Sequence, residues 1–109
     1  MTRVLLVEDE PILSRALCLY LGEHGIQVHT ALSAEVALTM IGAEPAYDAI
    51  VTDLRLPGMS GQELARRLRQ PRLIALSGDV RALGLLRHFD VRLAKPCSPD
   101  ALVAAIRDL

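Results

Sequence analysis

Five short apolar runs alternate along the chain with five longer stretches in which apolar residues recur every three or four positions. The runs are Arg3–Val7, Gln27–Thr30, Ala49–Thr52, Leu73–Leu76 and Val91–Ala94. They are short and β-branched or aliphatic, and apart from Gln27–Thr30 they are largely uninterrupted, as strands of a buried parallel sheet require. The longer stretches have the spacing of one-sided helices. Pro11–His24 places Leu13, Ala16, Leu17 and Tyr20 on one face, and Ser33–Ile41 opens with a serine cap and Glu35. Gly61–Arg69 carries Leu64, Ala65 and Leu68; Asp79–His88 carries Leu83 and Leu86; Ser98–Leu109 carries Leu102, Val103 and Ile106. Pro11 and Pro99 fall where a first helical turn tolerates proline.

Five strand–helix repeats predict an α/β fold: a parallel sheet with helices on both faces, a three-layer sandwich. Right-handed crossovers leave few topologies. The expected one is the flavodoxin-like (βα)5 arrangement with strand order 2-1-3-4-5. Residues 1–109 are expected to form one domain. No repeat, linker or low-complexity tract interrupts the pattern. The last helical stretch reaches the chain end, so no attached effector domain is expected.

Composition narrows the picture. Hydrophobic residues make up 51% of the chain and aromatics only 3%, so the core must be aliphatic. A net charge of −1 argues against a nucleic-acid or membrane surface. The apolar runs stay far below the roughly 18 residues of a spanning helix. The start, Met1-Thr2-Arg3-Val4, lacks a signal-peptide layout, and a cytoplasmic location follows by default. Cys18 and Cys97 match no zinc or redox spacing and read as reduced thiols. His24, His29 and His88 are scattered and suit surface or helix-end positions. Arg66, Arg67 and Arg69 read as a solvated face.

Chemistry gathers at the carboxyl ends of the strands, where open α/β sheets bind ligands. The first strand ends in Glu8 and Asp9, the third in Asp53, the fourth in Ser77 and the fifth in Lys95. Two like charges about 4 Å apart cost on the order of 4 kcal/mol at an effective dielectric of 20, so three clustered acids need a cation. An all-oxygen set of this kind suits magnesium. Glu8 and Asp9 could instead cap the helix that begins near Pro11. Of the 12 Lys and Arg residues, 11 are arginine; the one lysine is Lys95. A compact ammonium at that strand end would offset the acids and reach a phosphoryl oxygen. The Ser77 hydroxyl could donate to the same group, or Ser77-Gly78-Asp79 could be an ordinary turn.

Val4-Leu5-Leu6-Val7-Glu8-Asp9-Glu10-Pro11, Asp53-Leu54-Arg55-Leu56-Pro57-Gly58-Met59-Ser60-Gly61, Leu76-Ser77-Gly78 and Leu93-Ala94-Lys95-Pro96 occur in this order, each at a strand end. With these motifs the chain resembles bacterial two-component response-regulator receiver domains over essentially its whole length. The resemblance implies that Asp53 accepts a phosphoryl group from a sensor histidine kinase or phosphotransfer protein and then switches the binding of a downstream protein target. It implies Mg2+ held by Glu8, Asp9, Asp53 and the backbone carbonyl of Arg55, with Ser77 and Lys95 on the phosphoryl oxygens. It also implies a loop shaped by Pro57 and Gly61 and a cis bond before Pro96. The chain departs from the family pattern in several places. Arg92 stands where the family usually has Tyr or Phe, and Cys97 where Phe is common. The intervals from Asp53 to Ser77 and from Ser77 to Lys95 are short, with a clipped third helix and a short fourth. The ending is similar to receivers fused to hybrid sensor kinases or to free-standing single-domain regulators. Arg92 is expected on an exposed edge strand that could serve a homodimer contact.

Two other functions fit parts of the pattern. A small phosphatase forming an aspartyl phosphate would use a strand-end Asp, a hydroxyl and a lysine, but it generally needs a second acid two residues after the nucleophile, where Arg55 stands. A phosphorylation-independent pseudo-receiver, a pure interaction module, would not need all five site residues. The expectation is therefore a signalling domain and not an enzyme.

Overall fold

A computed structural model describes residues 2–43, 46–68, 72–78 and 88–108. Five strands, β1 (Arg3–Val7), β2 (Gln27–Ala31), β3 (Ala49–Asp53), β4 (Arg72–Ser77) and β5 (Val91–Ala94), form one sheet of order β2-β1-β3-β4-β5. Every pairing is parallel. The order matches the expected flavodoxin-like topology. The described helices are α1 (Pro11–Glu23), α2 (Ala34–Ala43), α3 (Gly61–Arg67) and α4 (Pro99–Arg107). Apart from His88, the expected helix over 79–88 lies outside the described residues.

Side chains leave a strand alternately to its two faces, and both faces here are apolar. Val4 and Leu6 of β1 join Leu17 and Leu21 of α1 and Leu102, Val103 and Ile106 of α4 on one side. Leu5 and Val7 join Ala34 and Ala37 of α2 and Leu64 and Ala65 of α3 on the other. The three-layer sandwich therefore follows from β1 having no polar position between Val4 and Val7. Phe89, the only phenylalanine, completes the second layer's core.

Helix ends follow local chemistry. Ser98 accepts from the Ala101 N–H at 3.1 Å and Ser33 from the Val36 N–H at 3.1 Å, so the two serines are caps and α4 and α2 begin one residue later. Ser60 caps α3 in the same way through the Glu63 N–H at 3.1 Å. α3 stops at Arg67, short of the expected Arg69: Leu68 is already extended, with φ −104° and ψ 138°, and packs against the core. α1 runs from Pro11 to Glu23 with His24 as its C-cap.

Candidate functional site

β1, β3, β4 and β5 end at the same edge of the sheet, and parallel register sets their offsets. Asp53 pairs with Leu76 and Ser77 with Ala94. The next residue of each chain segment is then at hand: the Lys95 N–H donates to the Ser77 carbonyl at 2.7 Å, and the Leu54 N–H donates to the Leu76 carbonyl at 3.2 Å. The Lys95–Pro96 bond is cis, as the family resemblance implied.

An open pocket of about 1000 Å³ lies over this edge and is lined by Glu8, Asp9, Asp53, Arg55, Ser77 and Lys95, which are all six residues expected from the sequence. Glu10, Pro11, Leu76 and Gly78 also line it and were not singled out as site residues. Glu8, Asp53 and Ser77 are buried, whereas Asp9 and Arg55 are exposed.

Lys95 ties the two buried acids together. Its ammonium stands 2.7 Å from Glu8 Oε1 and 2.7 and 2.8 Å from the two oxygens of Asp53. Glu8 Oε2 accepts the N–H of Glu10 at 3.2 Å. Glu8 thus does both jobs that the sequence left open: one oxygen serves the residue before the Pro11 helix, and the other faces the cation. Asp9 makes the third corner. One carboxylate oxygen from each of Glu8, Asp9 and Asp53 lies within 4.8 Å of the other two. That donor set is all hard oxygen, which fits a magnesium ion that keeps part of its water shell.

The acids are unequal. Burial pushes the Asp53 carboxyl up to about 7, and the neighbouring Glu8 carboxylate adds to the rise against the pull of Lys95. For Glu8, burial also acts upward, but hydrogen bonds with Asp53 and Lys95 and from the Glu10 N–H outweigh it and hold the group low. Lys95 is raised: burial acts downward, and its bonds to Asp53 and Glu8 more than offset it. Without a metal, Asp53 therefore keeps a proton to higher pH than Glu8 does, and the negative charge falls first on Glu8.

This asymmetry has a measurable consequence. A carboxyl raised by folding contributes stability that is full below its unfolded value of 3.8 and is lost as pH climbs to about 7. Glu8 acts oppositely, losing its contribution only as pH falls below 4.5. Between pH 5 and 7, Asp53 alone of the pair titrates. In magnesium-free urea denaturation, Asp53→Asn should gain on the parent chain by roughly 1 kcal/mol per pH unit across that window. A difference independent of pH would contradict the assignment of the proton.

Residues 4–107 match the family model of the response regulator receiver domain. The chain belongs to that family. Among curated relatives, the receiver is 36% identical over 115 residues to the transcriptional regulatory protein TcrA of Mycobacterium tuberculosis, covering 98% of this chain and 45% of that one. It is 35% identical over 119 residues to the transcriptional regulatory protein AruR of Pseudomonas aeruginosa, covering 98% and 48%. The chain thus spans about half the length of these relatives. Among solved structures, it superposes on the response regulator protein TrrA of Thermotoga maritima, in complex with Mg2+-BeF, with TM-score 0.91 and 29% identity over 99% of this chain and 98% of that one. A Francisella response regulator receiver domain gives TM-score 0.91 at 28% identity, covering 99% and 95%.

Two departures from the family pattern lie within the described residues. Arg92 is exposed on β5, at the edge of the sheet as described. Cys97 is half-buried against the α1/α4 side of the core, and burial raises its thiol. Gly61, expected to shape the loop after the acceptor, packs directly on the Asp53 carbonyl. Two supporting residues escaped the sequence reading of the site: Thr52 Oγ1 donates to the Asp53 carbonyl at 2.9 Å, and Glu35 reaches the loop after Asp53. Glu35 was read only as a residue of a helical first turn.

Proposed function

We propose that Asp53 is the phosphoacceptor of this receiver, taking a phosphoryl group from a phosphohistidine on a sensor histidine kinase or phosphotransfer protein. One Asp53 oxygen bonds to phosphorus, the bond from phosphorus to the imidazole nitrogen breaks, and the imidazole leaves with its electron pair. The observation that carries this reading is the buried Asp53 carboxylate at the pocket floor with the Lys95 ammonium on both its oxygens.

Glu8, Asp9, Asp53 and the carbonyl of Arg55 would hold Mg2+, a reading supported by the similarity to TrrA in its Mg2+-BeF complex. The ion supplies charge neutralisation as the phosphoryl group approaches the acids. Lys95 already sits on the acceptor and would follow the new phosphoryl oxygens, and Ser77 lines the same pocket. Phosphorylation replaces one negative charge by a dianion, which pulls Ser77 and Lys95 toward it and changes the binding of a downstream protein target. The domain would act as one unit over residues 1–109 in the cytoplasm; among the described residues no helix is long and apolar enough to cross a membrane. An enzyme reading lacks its acid, because Arg55, an exposed cation, stands two residues after Asp53. A pseudo-receiver has no use for the complete set of five site residues, Glu8, Asp9, Asp53, Ser77 and Lys95, that line the pocket.

Incubation with acetyl phosphate and MgCl2 should add the mass of one phosphoryl group to the intact chain and none to Asp53→Asn. No gain, or an equal gain in the variant, would overturn the proposal. Steady turnover of a small phosphate ester would favour the phosphatase instead.

A further inference from the structure

The loop from Leu54 to Ser60 carries Arg55, whose backbone carbonyl is one of the oxygens proposed for the ion. Both ends of the loop are tied within their own neighbourhood. Leu54 bonds to β4 as described above, the Gly61 N–H donates to the Leu54 carbonyl at 2.9 Å, and Ser60 caps α3. Its far side is tied from elsewhere. Glu35, in the first turn of α2, accepts the Met59 N–H on Oε2 at 3.1 Å. The same oxygen stands 2.6 Å from the place a Cβ on residue 58 would occupy, and Gly58 adopts φ +76°. The loop backbone therefore closes onto the carboxylate at two successive residues, and residue 58 suits glycine because its φ is one that other residues rarely adopt. The Met59 N–H also holds the Glu35 carboxyl below the usual range. Glu35 itself is exposed and does not line the pocket.

We propose that Glu35 is a positioning residue for the magnesium site, pinning the loop so that the Arg55 segment is ordered before the ion arrives. This rests on the magnesium reading given above. An oxygen on a loop that must be ordered during binding loses affinity to the ordering, whereas one held in advance does not. The hydrogen bond spans 24 residues of sequence, so it couples α2 to the edge of the sheet that carries the acceptor.

The test is a MgCl2 titration of the 15N-labelled chain, read from amide shifts since the chain has no tryptophan. Glu35→Ala should weaken magnesium binding about fivefold to tenfold, the worth of one charge-assisted bond. Glu35→Asp, one methylene shorter, should weaken it similarly, while Glu35→Gln, whose carbonyl can still accept from Met59, should stay within about twofold of the parent. Parental affinity in both Glu35→Ala and Glu35→Asp would overturn the inference. So would Glu35→Gln binding as weakly as Glu35→Ala, since charge alone would then be at work. If Glu35→Ala does not fold, the Asp and Gln variants decide by the same criteria. Failure of the parent chain itself to bind magnesium would remove the site reading and this inference together; a binding parent with unaffected variants removes only the role of Glu35.

Discussion

Lys95→Met should destabilise the magnesium-free domain by about 2–4 kcal/mol at pH 8, which places it among the most damaging substitutions near the pocket. The side chain of Lys95 is 27% exposed, but its partners Glu8 and Asp53 are 1% and 8% exposed. Methionine keeps most of the aliphatic length and removes only the charge. Two carboxylates would then share a buried site with no cation. Their cheapest response is to hold a proton more tightly, so the penalty should shrink as pH falls towards 5 and grow as it rises towards 8. Urea denaturation of parent and variant at both pH values checks this. A midpoint shift that is absent, or the same at both, would show that the ammonium is not what holds Glu8 and Asp53 together. The same variant should be phosphorylated by acetyl phosphate far more slowly, because the cation that meets the incoming oxygens is gone.

The position of Lys95 was legible in the sequence for a physical reason. A parallel strand covered by helices on both faces must be apolar at every position, so the first polar residue after such a run marks where the chain leaves the core. Glu8 and Ser77 are such residues, Asp53 comes one residue after Thr52, and Lys95 follows Ala94 at the end of the edge strand that carries Arg92; the parallel register brings all four to one edge. The topology was legible because only one common arrangement suits five right-handed strand–helix units. Other features were hidden because they depend on distance through space. Nothing in Ser33-Ala34-Glu35 says that the carboxylate will meet a backbone amide 24 residues later. Nothing in Glu8-Asp9 distinguishes a capping acid from a cation partner, and the structure uses Glu8 for both. The early end of α3 comes from Leu68 turning back to the core, a tertiary preference that helical periodicity does not contain. The division of one proton between Glu8 and Asp53 depends on burial and on which acid has the backbone donor.

Among the described glycines, Gly61 should be the one whose replacement by alanine does most damage. The added methyl would sit 2.0 Å from the Asp53 carbonyl oxygen, 2.9 Å from its carbon and 3.0 Å from Leu54 Cα. All three are backbone atoms, so no rotamer change makes room. β3 cannot yield easily, since β1 and β4 hold it on both sides. α3 cannot yield without pulling Leu64 and Ala65 out of the core. Overpacking in a core costs about 1–3 kcal/mol where side chains can adjust; a clash with fixed backbone should cost about 3 kcal/mol or more. The displaced atoms belong to the acceptor itself, so the rate of phosphorylation by acetyl phosphate should fall alongside stability, by more than about tenfold if Asp53 moves even slightly from Lys95. Gly22→Ala and Gly42→Ala supply the contrast. Both lie in helices with nothing within 4 Å of the new methyl. Alanine there should raise stability by about 0.5–1 kcal/mol through helix propensity alone and leave phosphorylation unchanged. Urea midpoints of the three variants read side by side decide the matter: if Gly61→Ala behaves like the other two, the close approach of α3 to the acceptor strand does not hold Asp53 in place.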